Sequence, residues 1–444
     1  MTRLALVALA ACTTTPADTS TPPFVPDAPT QECVATPYAW APMETMGDIV
    51  AWEPAPDLTF TAGALNLALQ AAGAASFTPV ANGVYSWRVR YITQDRGAPI
   101  EATAVVVLPA VDAPSDAPSV LWAHGTTGYS DVCAPSRLGV EDMAPALLIG
   151  AQGWAVVAPD YIGMNGFGAP SEHLHPYLVP EPAAVASLDS LRALWKFTAQ
   201  NSLDTPVTPT RTTVLWGGSE GGFTALWADR YASTYLPEAE LVATVALVPP
   251  TDLRELATYA TSGFHDATGG LAAGLVAMHD WYGPDVPLTD ALVPYVADNL
   301  PGVMEACDDQ GKFDSIATVD DIYQPAFSSA VSEGRWSDAE PWSCFLQNGV
   351  LRESPVVRGH DVPVLFVVSE LDELVAAEVE RRDAGRLCDA GYNLEYLECA
   401  GAGHSQGAVD SLPFQRDWVV ARLAGEPLAT DQDCVIDAAV TCER

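Results

Sequence analysis

Basic side chains are scarce in this 444-residue chain: Lys and Arg number 20 against 57 Asp and Glu, a formal net charge of −37. That balance argues against nucleic acid as a partner and against attraction to an anionic membrane surface, and it favours solubility. Beyond the first dozen residues, no stretch is long and apolar enough to cross a bilayer as a helix. Histidine is limited to positions 124, 173, 175, 265, 279, 360 and 404, and the widely spaced cysteines match no zinc-ligand pattern. No internal repeat is present. What the chain does have is 49% hydrophobic residues, enough to bury a large core.

The N-terminus reads Met1-Thr2-Arg3, an apolar run from Leu4 to Ala11, then Cys12. This resembles a bacterial lipoprotein signal, in which residues 1–11 are removed and Cys12 is lipidated; the alternative is an ordinary secretory signal cleaved nearby. Either way the chain is expected to be exported, with membrane contact confined to that anchor. Residues 12–37, rich in Thr and Pro, read as a flexible tether. Eight cysteines then remain, and an even number in an exported chain implies disulfides. The expected pairs are Cys307–Cys344, Cys388–Cys399 and Cys434–Cys442, which leaves Cys33–Cys133.

Strand-like runs recur at Val84 to Ile92, Ala102 to Leu108, Val120 to Ala123, Ala155 to Ala158, Thr212 to Trp216, Leu241 to Val248, Val364 to Val368 and Leu394 to Cys399. The first two suit an antiparallel hairpin around Gln94-Asp95-Arg96-Gly97. The later ones are nearly continuous apolar runs, as in parallel strands covered on both faces. Helical stretches alternate with them at Ala183 to Ala199, Gly222 to Tyr235, Ala376 to Cys388 and Asp410 to Leu423, which implies an α/β sheet. The alternation lapses across 250–360. A structureless loop of that length is improbable in a compact domain, so this segment is expected to be an inserted, mainly helical cap within a domain spanning 38–425. A Cys-containing tail occupies 426–444.

The chain is organised around Thr212 to Phe223, where an apolar strand runs into Gly217-Gly218-Ser219-Glu220-Gly221 and then a helix-forming stretch. A sharp strand-to-helix turn exposes a serine hydroxyl and aims the next backbone N–H at a developing oxyanion. Gly403-His404-Ser405-Gln406-Gly407 matches the same pattern. In elbows of this kind the acid and the histidine follow the serine along the chain, and no histidine follows Ser405, so Ser219 is the candidate nucleophile. His404, in a small-residue loop after the last strand, is the candidate base. The loop after Val364 to Val368 offers Glu370, Asp372 and Glu373; Asp372 is preferred, with Val375 three residues on. Thr126, in His124-Gly125-Thr126 after Val120 to Ala123, is the choice for a second oxyanion N–H, with Gly125 next and His124 structural.

With these motifs in place the chain resembles the α/β-hydrolase superfamily and, within it, looks like the secretory lipase (lipase A-like) group. Ala158-Pro159-Asp160-Tyr161-Ile162-Gly163, His175-Pro176-Tyr177-Leu178-Val179 and Ala186-Ser187-Leu188-Asp189-Ser190 carry the likeness beyond the elbow. The resemblance implies a mostly parallel sheet flanked by helices, a lid formed by 250–360, and a triad of Ser219, Asp372 and His404. Glu220 stands where the group often has Gln, and Met164-Asn165-Gly166-Phe167 lengthens the turn after Asp160. The expected activity is hydrolysis of a small-molecule or lipid carboxylic ester by a monomer, without metal or organic cofactor, the N–H groups of Glu220 and Thr126 holding the oxyanion. Phe264, Trp281, Tyr282, Tyr295 and Phe313 of the insertion are either acyl-site lining or core. Phenolic esters, polyesters and acyl-peptides are alternative substrates, and a non-catalytic, surface-anchored binding protein is the rival class.

Overall fold

The computed structural model describes residues 25–29, 32–71, 79–283, 285–308, 310–430 and 432–442. The signal-like residues 1–11, Cys12 and most of the tether lie outside them.

Nine strands form one sheet in the order β1-β2-β3-β5-β4-β6-β7-β8-β9. They are β1 (Ile49–Pro54), β2 (Gly83–Asp95), β3 (Ala98–Ala110), β4 (Ser115–Ala123), β5 (Ala155–Pro159), β6 (Val207–Gly218), β7 (Glu240–Leu247), β8 (Val364–Ser369) and β9 (Leu394–Cys399). The pairings β1–β2, β2–β3 and β3–β5 are antiparallel and the rest are parallel. The expected hairpin joins β2 to β3: Asp95 pairs with Ala98 across Arg96-Gly97, both at positive φ (47° and 76°), the backbone of a two-residue type I′ turn. β1 has no counterpart among the expected strands. It is an edge strand with Trp52 42% exposed, so it lacks the apolar alternation that marks a half-buried strand.

The helices are α1 (Ala62–Ala71), α2 (Pro135–Leu138), α3 (Val140–Ala151), α4 (Pro180–Gln200), α5 (Glu220–Tyr235), α6 (Leu253–Ser262), α7 (Asp266–Tyr282), α8 (Pro294–Ala306), α9 (Pro325–Ser332), α10 (Trp342–Asn348), α11 (Ala377–Asp389), α12 (His404–Asp410) and α13 (Leu412–Leu423). The period of two along the strands divides the core into two layers. Leu121, Leu215 and Phe366 pack with α4, α5 and the insertion, while Val120, Trp122, Val214, Trp216 and Leu365 pack with α3 and α13. Burial on both faces explains why β5 and β8 are buried at every residue. The segment between β7 and β8 holds five α-helices, α6 to α10, and contributes no strand to the sheet.

The cysteines pair as Cys33–Cys344, Cys133–Cys307, Cys388–Cys434 and Cys399–Cys442, with Cα–Cα distances of 6.1, 6.1, 5.6 and 5.3 Å. None of the four expected pairs forms. Nearness in sequence was the wrong guide, because Cys388 lies in the last turn of α11 and Cys399 ends β9, and what lies beside both is the C-terminal tail. That tail runs along the outer edge of β9, with Cys434 N–H donating to Leu394 O (2.7 Å) and Val440 N–H to Glu398 O (2.8 Å). It covers an edge that would otherwise expose unpaired backbone groups. The other two bridges fasten the insertion, Cys307 to the loop after β4 and Cys344 to the N-terminal segment. From Cys33 onward, within the 12–37 stretch, the chain is attached to the body.

That N-terminal segment also buries an acid. Glu181 on α4 accepts hydrogen bonds from Tyr38 (2.7 Å) and Trp40 (3.0 Å), and burial pushes its pKa up from 4.5 to about 7. A carboxyl raised in the folded state stabilises fully below its unfolded value, and the contribution is lost as pH rises through the folded one. The difference in melting temperature between wild type and Glu181→Gln should therefore shift against wild type from about pH 4.5 to 7.5; a shift in its favour would contradict the burial. Peptide mapping without reduction should return the four linked pairs above, whereas recovery of a Cys388–Cys399 peptide would refute the tail's placement.

Candidate active site

β6 ends at Gly218 and α5 begins at Glu220, so Ser219 alone makes the turn, with φ 57° and ψ −120°. A non-glycine residue there is strained, and the surroundings must hold it. Ser219 N–H donates to Leu247 O at the end of β7 (2.8 Å), and Ser219 O accepts from Phe223 N–H (3.0 Å). The flanking glycines are steric necessities. A Cβ on Gly217 would lie 2.1 Å from Gly221 O, and one on Gly221 would lie 1.9 Å from Ala123 O. As the first residue of α5, Glu220 has an N–H without an intrahelical partner. Ser405, the decoy, is an exposed residue of α12 and makes no such turn.

The side chains singled out in sequence converge on this elbow. His404, the first residue of α12, lies with Nε2 2.9 Å from Ser219 Oγ and Nδ1 2.7 Å from Asp372 Oδ2. The second oxygen of Asp372 accepts from the N–H groups of Leu374 (3.0 Å) and Val375 (2.9 Å), which fixes the carboxylate's direction. Because the carboxylate only accepts, Nδ1 carries the imidazole proton and Nε2 is left to take one from Ser219. Glu370, the competing acid, is exposed and accepts from Gly401 N–H (2.7 Å) instead. Thr126 is exposed on the loop after β4, its hydroxyl donating to Tyr177 Oη (3.2 Å). That loop presses on the elbow: a Cβ on Gly125 would meet Gly218 O at 3.2 Å and Ser219 Cβ at 3.5 Å.

A feature the sequence did not reveal lies beneath the elbow. Glu220 is 4% exposed and its Oε1 is 2.6 Å from His175 Nε2, while Oε2 is buried without a hydrogen-bond partner. His175 Nδ1 is 2.9 Å from Ile162 O. Tyr161 stacks between His175 (5.6 Å) and His124 (4.2 Å) and donates to His124 O (2.8 Å). Burial lowers the pKa of His124, which disfavours its charged form. His175 and Glu220 are 45 residues apart, and nothing in the sequence around either one told that they meet.

In front of Ser219 is a cavity of about 80 Å³, open to solvent and walled by Tyr177 and Leu178 on the body and by Leu253, Leu256, Gly270 and Met278 from α6 and α7. The aromatics of the insertion do not line it. Trp281 and Tyr282 are buried in the core, while Phe264 and Tyr295 are each 51% exposed. Aliphatic and small side chains form the wall instead. Such a site can receive an apolar acyl or alkyl group next to a serine, imidazole and carboxylate in hydrogen-bonded series.

Comparisons with known proteins agree with this architecture. The sheet and its helices are the α/β-hydrolase fold, shared with the rice cell wall degrading esterase LipA from Xanthomonas oryzae (TM-score 0.69, 20% identity, covering 87% of this chain and 99% of that one). Candida antarctica lipase A in its closed state is also similar (TM-score 0.64, 15% identity, 93% and 91% covered). Residues 140–264 match the model of the secretory lipase family. A probable inactive lipase of Mycobacterium tuberculosis is 25% identical over 362 residues, 75% of this chain and 72% of the relative. Lipase 5 of Candida albicans is 23% identical over 303 residues, 64% and 57% of the two chains.

The geometry distinguishes the two acids. Asp372→Asn should lower kcat by roughly 10³–10⁴, as expected when the orienting carboxylate of a triad is lost, whereas Glu370→Gln should stay within about tenfold of wild type. The reverse ranking in steady-state kinetics would transfer the role to Glu370.

Proposed function

We propose that this protein is an exported serine hydrolase that cleaves carboxylic esters through an acyl-enzyme. The observation that carries the reading is the unbroken series Ser219 Oγ–His404 Nε2–His404 Nδ1–Asp372 Oδ2, with links of 2.9 and 2.7 Å, at a strained elbow. Ser219 Oγ attacks the ester carbonyl carbon as its proton passes to His404 Nε2, and the carbonyl electron pair moves onto oxygen. The Glu220 N–H and a second one, assigned to Thr126, stabilise that oxyanion. His404 then protonates the departing alcohol, and water, activated by the same imidazole, releases the acid. Asp372 orients the imidazole and stabilises its charged form without taking the proton.

The apolar cavity under α6 and α7 supports an uncharged acyl or alkyl substituent and a cap role for 250–360. The net charge of −37 disfavours release of fatty acid at an anionic surface, so a carboxylesterase with lipase-like ancestry is the preferred form. Four disulfides and the leader-like run before Cys12 support export, with a lipid anchor at Cys12. A second reading, a hydrolase scaffold without catalysis, is favoured by the probable inactive relative. It is opposed by the presence and alignment of all three triad side chains.

Hydrolysis of p-nitrophenyl esters from acetate to palmitate, by wild type and Ser219→Ala, separates these readings. Expected is wild-type turnover with a short- to medium-chain optimum, reduced at least about 10³-fold by the substitution. Undiminished turnover in Ser219→Ala would refute the nucleophile, and an inert, folded wild type across the series would favour the non-catalytic scaffold.

A further inference from the structure

The residue whose N–H faces the developing oxyanion carries a buried carboxyl, an arrangement that works against its own task. A carboxylate at Glu220 would repel the negative oxygen that its backbone is placed to stabilise, and in a water-poor site the repulsion is poorly screened. Covalent geometry keeps that carboxyl within roughly 5 Å of its own N–H. Some group must supply a compensating proton.

Hydrogen-bond geometry identifies it. Ile162 O can only accept, so His175 Nδ1 bears a hydrogen. The 2.6 Å separation between His175 Nε2 and Glu220 Oε1 requires one further proton between them. The pair is either imidazolium with carboxylate or imidazole with carboxylic acid, and its net charge is zero in both forms. Other titratable groups around this site are His124, Tyr129, Tyr161 and Tyr177, with Asp160 behind His124 and the His404–Asp372 pair across Ser219. Burial disfavours a charge on His124 and on all three tyrosines, Asp160 is itself an acid, and His404 is already partnered by Asp372. His175 is the group directly hydrogen-bonded to the Glu220 carboxyl.

We propose that His175 is a charge-neutralising positioning residue, sharing one proton with Glu220 so that the oxyanion site presents no net negative side chain. The proposal rests on the serine-hydrolase reading. It differs from a packing role for His175, because a packing role does not depend on the charge of Glu220.

The test is a pair of substitutions assayed on p-nitrophenyl butyrate. His175→Gln places an amide near the position of Nε2, retaining a donor to Glu220 without supplying a proton. It should lower kcat/KM about 10- to 100-fold. Adding Glu220→Gln removes the carboxyl group and should recover most of the loss. A full-speed His175→Gln, or a double variant as slow as the single one, overturns the proposal. Wild-type protein supplies a readout that needs no folded His175 variant. A low-field imidazole N–H resonance should be present in wild type and disappear in Glu220→Gln; its absence from wild type also overturns the proposal. Ser219→Ala run alongside separates the failures. Activity surviving in it sinks the triad, whereas an inert Ser219→Ala with no recovery in the double variant sinks only the role of His175.

Discussion

The structure depends on one strained residue held in place by its neighbours. Ser219 occupies a left-handed backbone conformation because β6 must hand over to α5 within a single residue. Leu247 O anchors its N–H from one side, and the Gly125 loop presses from the other. A strain of about 1–3 kcal/mol at such a position persists only when the surroundings over-determine it. Here they do so with central strands: β6 lies between β4 and β7 in the parallel part of the sheet, so all three deliver their C-terminal ends to the same edge. Glycines at 217 and 221 are what allow the backbones to come that close.

From that constraint the remaining geometry follows. β8 and β9 lie next in the sheet, so the loops after them bring Asp372 and His404 to the same edge as Ser219. The five-helix segment leaves the sheet after β7, beside Ser219, and its α6 and α7 wall the cavity there. Disulfides fasten the insertion further along, at Cys307 and Cys344, and the tail seals β9. The site is therefore built on rigid elements, with apolar walls in front of the serine and a buried polar stack behind it.

How much of this was legible in the sequence varied with the range of the cause. That Ser219, Asp372 and His404 would come together was readable because each follows the C-terminal end of a strand. The buried strands announced themselves as apolar runs. β1 did not, since an edge strand with exposed alternate faces needs little apolar patterning. The disulfides were misread because proximity in the fold, and not in the chain, decides them: Cys388 and Cys399 each meet the tail. The contact between Glu220 and His175 joins residues 45 apart, and no local pattern encodes it. The insertion's aromatics were open to either a lining or a core role; Trp281 and Tyr282 are buried in the core, and the cavity is left to smaller side chains.

The central claim is that Ser219 is an activated nucleophile. Labelling the folded protein with a fluorophosphonate, followed by peptide mass spectrometry, tests it independently of any choice of ester. A single adduct on the peptide containing Ser219, slowed severely in His404→Ala, is the result this account predicts. An adduct on Ser405, or no adduct on folded wild type under conditions that label a known serine hydrolase, would contradict it.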